Sequence, residues 1–292
     1  MKQMMAALAA AGMLTSVASA DPIEGAKSSA DILAASAPGD WRPLDPENTL
    51  YIETEKGRIV VQLSSKLAQK TVAHVKALAR AGFYDGLSFY RVIGGFVAQG
   101  GDALETKGKQ PTIAAEFDQP APKDLPFDKL KDKDGYASEV GFVESMPAGM
   151  APKTNRVWLL HCAGAMALGR DNERDTQSTE FYITLQAQRY LDRNLTVFGR
   201  VVDGMQYVQA LRRLAPPEKP GDDLGDKIVS VKVAADVPAA ERTNLEVLDS
   251  SRPIFAAYAE ARRNRPEAFF YYRPNYLDIC QLPIPARPVP AQ

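Results

Sequence analysis

Apolar and polar positions change their period several times along this chain, and each change predicts an element. Residues 50–54 and 58–63 alternate or run in β-forming side chains, and Lys56-Gly57 splits them, which predicts a hairpin. Residues 66–81 place Leu67, Val72, Val75, Leu78 and Ala79 at helical spacing, with Gly82 as the stop. Residues 83–102 predict a second hairpin: Arg91 lies on an aromatic-rich strand, Gly94-Gly95 makes the turn, and the return strand carries Phe96, Val97 and Gln99.

Residues 105–156 are rich in Lys, Asp, Pro and Gly and read as a long, loop-rich insertion with only short local elements. The apolar run 157–168 predicts a buried strand or two. Residues 169–178 are a charged surface loop. Strands follow at 181–185, 196–202 and 228–233, and a second helix at 205–214. Many short strands, two separated helices and Gly-rich turns predict a mainly β chain, a closed antiparallel barrel capped by helices. Residues 21–48 form a polar lead-in with one short helix at 29–35. At the other end, 253–264 predicts a helix, and Phe269-Phe270-Tyr271-Tyr272 precedes a Pro-rich finish. Aromatic density of that kind is expected to dock on the domain or on a partner.

Charge changes the picture by exclusion. With Lys+Arg 35 against Asp+Glu 36, the chain lacks the basic surplus of a nucleic-acid binder. The start has the order of a secretory signal: Lys2, an apolar run from Met4 to Leu14, and Ala18-Ser19-Ala20 before Asp21. That run is too short to span a bilayer, which needs about 20 residues. The expected organisation is a signal peptide at 1–20, a lead-in at 21–48, a main domain at 49–236 and an extension at 237–292. The expected location is the periplasm, after signal removal. Cys162 and Cys280 are the two cysteines; in an oxidising compartment they can pair, and otherwise they are buried thiols.

The candidate chemistry is spare. His74 and His161 are isolated from clustered carboxylates or cysteines, so both read as structural and no metal site is expected. There is no phosphate-cradling Gly-rich loop and no nucleophile elbow, and no cofactor is expected. What remains is a permanent cation, an amide and an apolar floor on neighbouring strands around Arg91. That set suits a reaction in which no proton moves and no covalent intermediate forms.

Three blocks carry a resemblance. The first runs from Phe83-Tyr84-Asp85-Gly86 to Gly100-Gly101-Asp102. The second is Met166-Ala167 with Thr179-Glu180-Phe181-Tyr182-Ile183. The third is Tyr190-Leu191-Asp192 with Val197-Phe198-Gly199-Arg200-Val201. In this order they resemble the cyclophilin family of peptidyl-prolyl cis-trans isomerases, over about residues 50–233, in an exported bacterial form. The resemblance implies an eight-stranded antiparallel barrel with two helices. It implies that Arg91 is the catalytic arginine, that Phe96 is the aromatic floor of a proline pocket, and that Gln99 holds the arginine and the substrate. Val97 stands where the family usually has methionine, Ala167 where a backbone lines the groove, Tyr182 where a phenylalanine lines the pocket, and Leu191 at a pocket leucine. Four further positions depart from the pattern. Glu180 replaces a glutamine, Tyr190 a tryptophan and Leu195 a histidine, and Leu168 also replaces an asparagine. A carboxylate at 180 has the charge to pull Arg91 from substrate, and it lacks the amide's donor.

The function implied is prolyl isomerisation in exported proteins, with proline-containing polypeptides as substrates, no nucleic acid, no membrane span and a monomeric chain. The alternative is a weakly active or inactive proline-segment binding module of the same fold, which the departures at 180 and 195 favour.

Overall fold

The computed structural model describes residues 25–290, so the signal-like segment lies outside the described residues. Eight antiparallel strands close into a barrel in the order Ala165–Leu168, Phe181–Thr184, Val97–Gly101, Ser88–Val92, Asp226–Val233, Thr49–Thr54, Gly57–Leu63 and Thr196–Asp203, the last pairing back to the first. Closure leaves no free strand edge. Both predicted hairpins are present. Phe89, Phe181, Phe198, Ile52 and Ile59 fill the interior, so the barrel is a packed core rather than a channel. Helix α2 (Gln69–Arg80) covers one opening with Val72, Val75 and Leu78, and α3 (Met205–Gln209) adds Val208 to the same cluster. The predicted second helix is thus shortened to its first half.

The insertion is loop-rich, and its short elements are strands. Gln119–Pro120, Asp128–Lys129, Glu139–Val143 and Met146–Ala151 join Arg156–Leu159 in a five-stranded antiparallel sheet. The apolar run 157–168 therefore serves two sheets, with its front in this one and its end, Ala165–Leu168, in the barrel.

The two ends of the chain meet. Trp41–Pro43, Leu245–Leu248 and Ala286–Pro288 form a three-stranded sheet, and α1 (Ser29–Ala34) packs with α4 (Pro253–Asn264). A second core holds Ile32 and Trp41 from the lead-in, Phe142 from the insertion, Trp158 from the apolar run after it, and Phe255 and Ile279 from the tail. Arg263 on α4 is buried and pairs with Asp132 of the insertion, which locks tail to sheet. Cys162 and Cys280 are joined in a disulfide across 118 residues, tying the tail to the segment that leads into the barrel. The aromatic run is the exception. Phe269 and Tyr272 are 81% and 80% exposed and Tyr271 is also exposed, so the expected docking of this run on the domain does not occur. The helix before it and Leu277, Ile279 and Leu282 after it are anchored, and the run bridges them over the surface.

Candidate active site

Strand register lines up the site. Arg91 faces Gln99 across one strand pair, Gln99 faces Tyr182 across the next, and Tyr182 faces Ala167 across the third. Directly opposed residues share a face of a sheet. Four residues taken from three separate stretches of sequence thus form one row on the outside of the barrel. Val97, two residues from Gln99, shares that face. Gly95 makes the turn between the Arg91 and Gln99 strands with φ 72°, a left-handed value that suits glycine.

The Arg91 strand is not regular. Between Ser88 and Arg91 the pairing advances three residues, while the partner strand advances only from Gly101 to Gln99. This bulge breaks the alternation, so that Tyr90 and Arg91 both reach the Gln99 amide. Arg91 Nη1 donates to Gln99 Oε1 at 2.9 Å, and Gln99 Nε2 donates to Tyr90 Oη at 2.5 Å. Arg91 is half-buried, with its guanidinium carbon 5.3 Å from the centre of the Phe96 ring. Among the described residues no carboxylate pairs with Arg91, so its other N–H groups remain available to a substrate.

Beside the arginine lies an apolar cluster. Val97, Ala167 and Tyr182 are buried in it, and Phe96 and Leu195 pack against it half-buried. The register thus brings together six of the expected residues, Arg91, Phe96, Val97, Gln99, Ala167 and Tyr182, with Leu195 at their margin. Leu191 is half-buried on the single turn Arg189–Leu191 but does not belong to the cluster, and Tyr190 is 58% exposed on the same turn.

Glu180 does not approach Arg91 as an ion partner. Its carboxyl packs over Gly101, where a Cβ would lie 2.6 Å from Oε1. Gly101 has φ 142° and no side chain, which makes this burial possible. Thr179 Oγ1 is 3.3 Å from Oε1, while Oε2 is buried with no partner at hydrogen-bond distance. Burial pushes the carboxyl up to about 6, and the Tyr90 hydroxyl, the Thr179 hydroxyl and the Asp102 amide offset only part of that rise. Burial and the neighbouring Glu180 likewise raise Tyr90. Glu180, Tyr90, Gln99 and Gly169 also border an open cavity of about 460 Å³ next to the arginine.

The family described as "Cyclophilin type peptidyl-prolyl cis-trans isomerase/CLD" matches residues 49–233. The chain belongs to the cyclophilin family. A Brucella suis protein named "Probable peptidyl-prolyl cis-trans isomerase" is 28% identical over 192 residues, covering 66% of this chain and 85% of its own. The human "Peptidyl-prolyl cis-trans isomerase-like 1" is 29% identical over 195 residues, covering 66% of this chain and 95% of its own. The crystal structure of the cyclophilin AquaCyp293 from Hirschia baltica superposes with a TM-score of 0.70 at 27% identity, covering 89% of this chain and 97% of that one. Its coverage exceeds the span of the cyclophilin match, so that likeness extends beyond the barrel.

Within this cyclophilin, Tyr182 has a partner that reading the sequence did not supply. Its Oη is 2.9 Å from His161 Nε2. The same imidazole places Nδ1 3.0 Å from Asp192 Oδ1, and Asp192 Oδ2 accepts from Arg189 at 2.6 Å. Arg189 then makes two 2.8 Å bonds to Asp134 of the insertion. With Nδ1–H donated to Asp192, a neutral ring offers Nε2 as the acceptor of the tyrosine O–H. The slot wall is thus hydrogen-bonded through His161, Asp192 and Arg189 to a loop of the insertion. His161 holds a slot residue. Tyr90 is the other residue missed. Its only signal is its place beside Arg91, and regular alternation would have pointed it away.

Proposed function

We propose that this cyclophilin isomerises Xaa-Pro bonds in exported polypeptides, with Arg91 as the catalytic cation. The observation that carries the reading is Arg91 held by Gln99 yet, among the described residues, free of any carboxylate, beside the Phe96–Val97–Tyr182 cluster. Resonance gives the peptide bond a rotation barrier of about 18–20 kcal/mol. The barrier falls when the proline nitrogen leaves conjugation and its lone pair can accept a hydrogen bond. A guanidinium donates that bond at any working pH and cannot act as a base. Phe96 and Val97 would hold the pyrrolidine ring while the acyl side turns, and this positioning lowers the entropic part of the barrier. Ala167, Leu191 and Leu195 would border the groove along the peptide, with Glu180 at its polar end and Tyr190 on the solvent side. No cofactor enters the scheme.

A charge-assisted hydrogen bond of about 1.5–3 kcal/mol, felt only in the twisted state, corresponds to roughly 10- to 150-fold in rate. Exchange spectroscopy on an Ala-Pro peptide with the purified chain and with Arg91→Ala tests the assignment. A loss of that size is expected, and equal rates would overturn it. Export rests on the signal-like N-terminus. Recovery of the protein from a periplasmic extract with Asp21 as its first residue is the expected result, and an intact Met1 in the cytoplasmic fraction would refute it.

A further inference from the structure

Three exposed tyrosines, each from a different part of the chain, gather around one buried arginine. Arg189 lies on the turn Arg189–Leu191, and its guanidinium is held by Asp192 and Asp134. The Tyr136 ring, from the insertion, is centred 5.1 Å from the guanidinium carbon and is 60% exposed. Tyr276, from the tail, is 44% exposed. Partial burial and the carboxylates of Asp278, Asp134 and Asp132 raise its hydroxyl, and the Arg189 charge opposes them, so this ring stands beside the same cluster. Tyr190, from the barrel, is the chain neighbour of Arg189 and is exposed as well.

The base under these rings is fixed. Tyr136 N–H donates to Asp134 Oδ1 at 2.8 Å, and the N–H of Leu277, next to Tyr276, donates to Asp132 Oδ1 at 3.0 Å. Asp134 pairs with Arg189 and Asp132 with Arg263. The charges beneath the rings thus neutralise one another, and the surface offered to solvent is aromatic. A tyrosine has few rotatable bonds, so a ring on a rigid base loses little entropy when it is covered. Exposed apolar surface of this kind marks interaction sites.

Continuity with the groove identifies the partner. In the groove proposed above, Leu191 borders the peptide path and Tyr190 stands on its solvent side, both on the Arg189 turn. Tyr182 of the slot connects to Arg189 through His161 and Asp192 by hydrogen bonds of 2.9, 3.0 and 2.6 Å. Six residues of extended chain reach about 20 Å, enough to pass from the slot to Tyr136. Tyr271 and Tyr272 carry exposed aromatic surface further along the tail.

We propose that Tyr136, Tyr190 and Tyr276 form a second contact surface for the polypeptide substrate, which takes aromatic side chains lying about six residues from the bond being isomerised. This role rests on the groove function proposed above.

Two Gly/Ser peptides with one central Ala-Pro test it, one carrying Phe-Phe about six residues to either side and the other Ser-Ser there. In calorimetric titration of the purified full chain, the aromatic peptide is expected to bind at least fivefold more tightly. The double variant Tyr136→Ala, Tyr276→Ala should bring the two peptides within about twofold, while turnover of a short Ala-Pro peptide stays within about twofold of the parent. In the unaltered protein, nuclear Overhauser contacts from the Phe rings should reach Tyr136 and Tyr276, a readout that needs no variant to fold. Failure of the groove function shows as no turnover of the short peptide; failure of this surface shows as equal affinities with turnover intact. Equal affinity for the two peptides, a fivefold preference that survives in the double variant, Overhauser contacts confined to the Arg91 groove, or a dimer of the free chain that the double variant abolishes would each overturn the proposal.

Discussion

Tyr90 and Arg91 are consecutive residues on one strand, yet they hydrogen-bond to opposite ends of the same side-chain amide. A regular strand sends neighbours to opposite faces. Here the bulge between Ser88 and Arg91 turns both toward Gln99. The tyrosine fixes which way the amide points, and the amide oxygen then holds the guanidinium. Tyr90→Phe removes one hydrogen bond of about 1 kcal/mol and lets the amide turn. Its kcat/KM on an Xaa-Pro peptide should fall roughly fivefold with melting little changed, as an exchange assay and a thermal scan would show. An unaltered rate would mean that the amide is oriented by something else.

Glu180 makes a pH prediction with a definite sign. Its folded-state pKa is raised from 4.5 to about 6, with burial as the main cause. Between those values the native state keeps a proton that the unfolded chain has released, so stability is present below about pH 4.5 and is lost as pH rises toward 6. The loss is about 2 kcal/mol. Glu180→Gln should be more stable than the parent by about that amount at pH 7 and no different at pH 4. Urea unfolding at both values measures it, and equal stabilities at pH 7 would contradict the burial argument.

The same variant bears on catalysis. Because Glu180 makes no ion pair with Arg91, replacing it should not release a suppressed cation. At pH 8 the kcat/KM of Glu180→Gln is expected within about threefold of the parent, under 1 kcal/mol in barrier. A gain of tenfold or more would instead show a groove tuned away from turnover, the binding-module alternative.

Tyr182→Phe tests the buried chain from the slot to the insertion. It keeps the slot's shape and deprives His161 of its partner on Nε2. Leaving a buried acceptor unsatisfied costs roughly 1–3 kcal/mol. Denaturation should show a loss of that order. The proton attached to the His161 ring should also exchange faster. No change in either would show that water replaces the hydroxyl at no cost.

The disulfide should matter to the tail more than to the barrel. On the chain-entropy view, closing 118 residues contributes about 4–5 kcal/mol. In the Cys162→Ser, Cys280→Ser double variant, hydrogen exchange should quicken first in α4 and around Ile279, before the barrel strands. Uniform loss of protection throughout the chain would argue that barrel and second core unfold as one unit.

The chain's local patterns determined much of this by themselves. Period-2 stretches fixed most barrel strands, because a half-buried strand must alternate. The spacing of Val72, Val75 and Leu78 fixed α2, because a helix can bury only one stripe. The block around Arg91 and Gln99 was legible because a hairpin register places them opposite each other. Other features needed the tertiary structure. Tyr90 faces Gln99 only because a bulge overrides alternation. His161 meets Tyr182, and Cys162 meets Cys280, only once distant segments are packed together. The insertion looked like loops because its strands are short and set among Lys, Asp, Pro and Gly, and their apolar residues find partners in the lead-in and the tail. Glu180 looked like a threat to Arg91 on charge alone, but the side-chain-free surface of Gly101 gave its carboxyl another place to lie. Sequence spacing constrains neighbours along the chain; which side chains touch across sheets is decided by register, closure and burial.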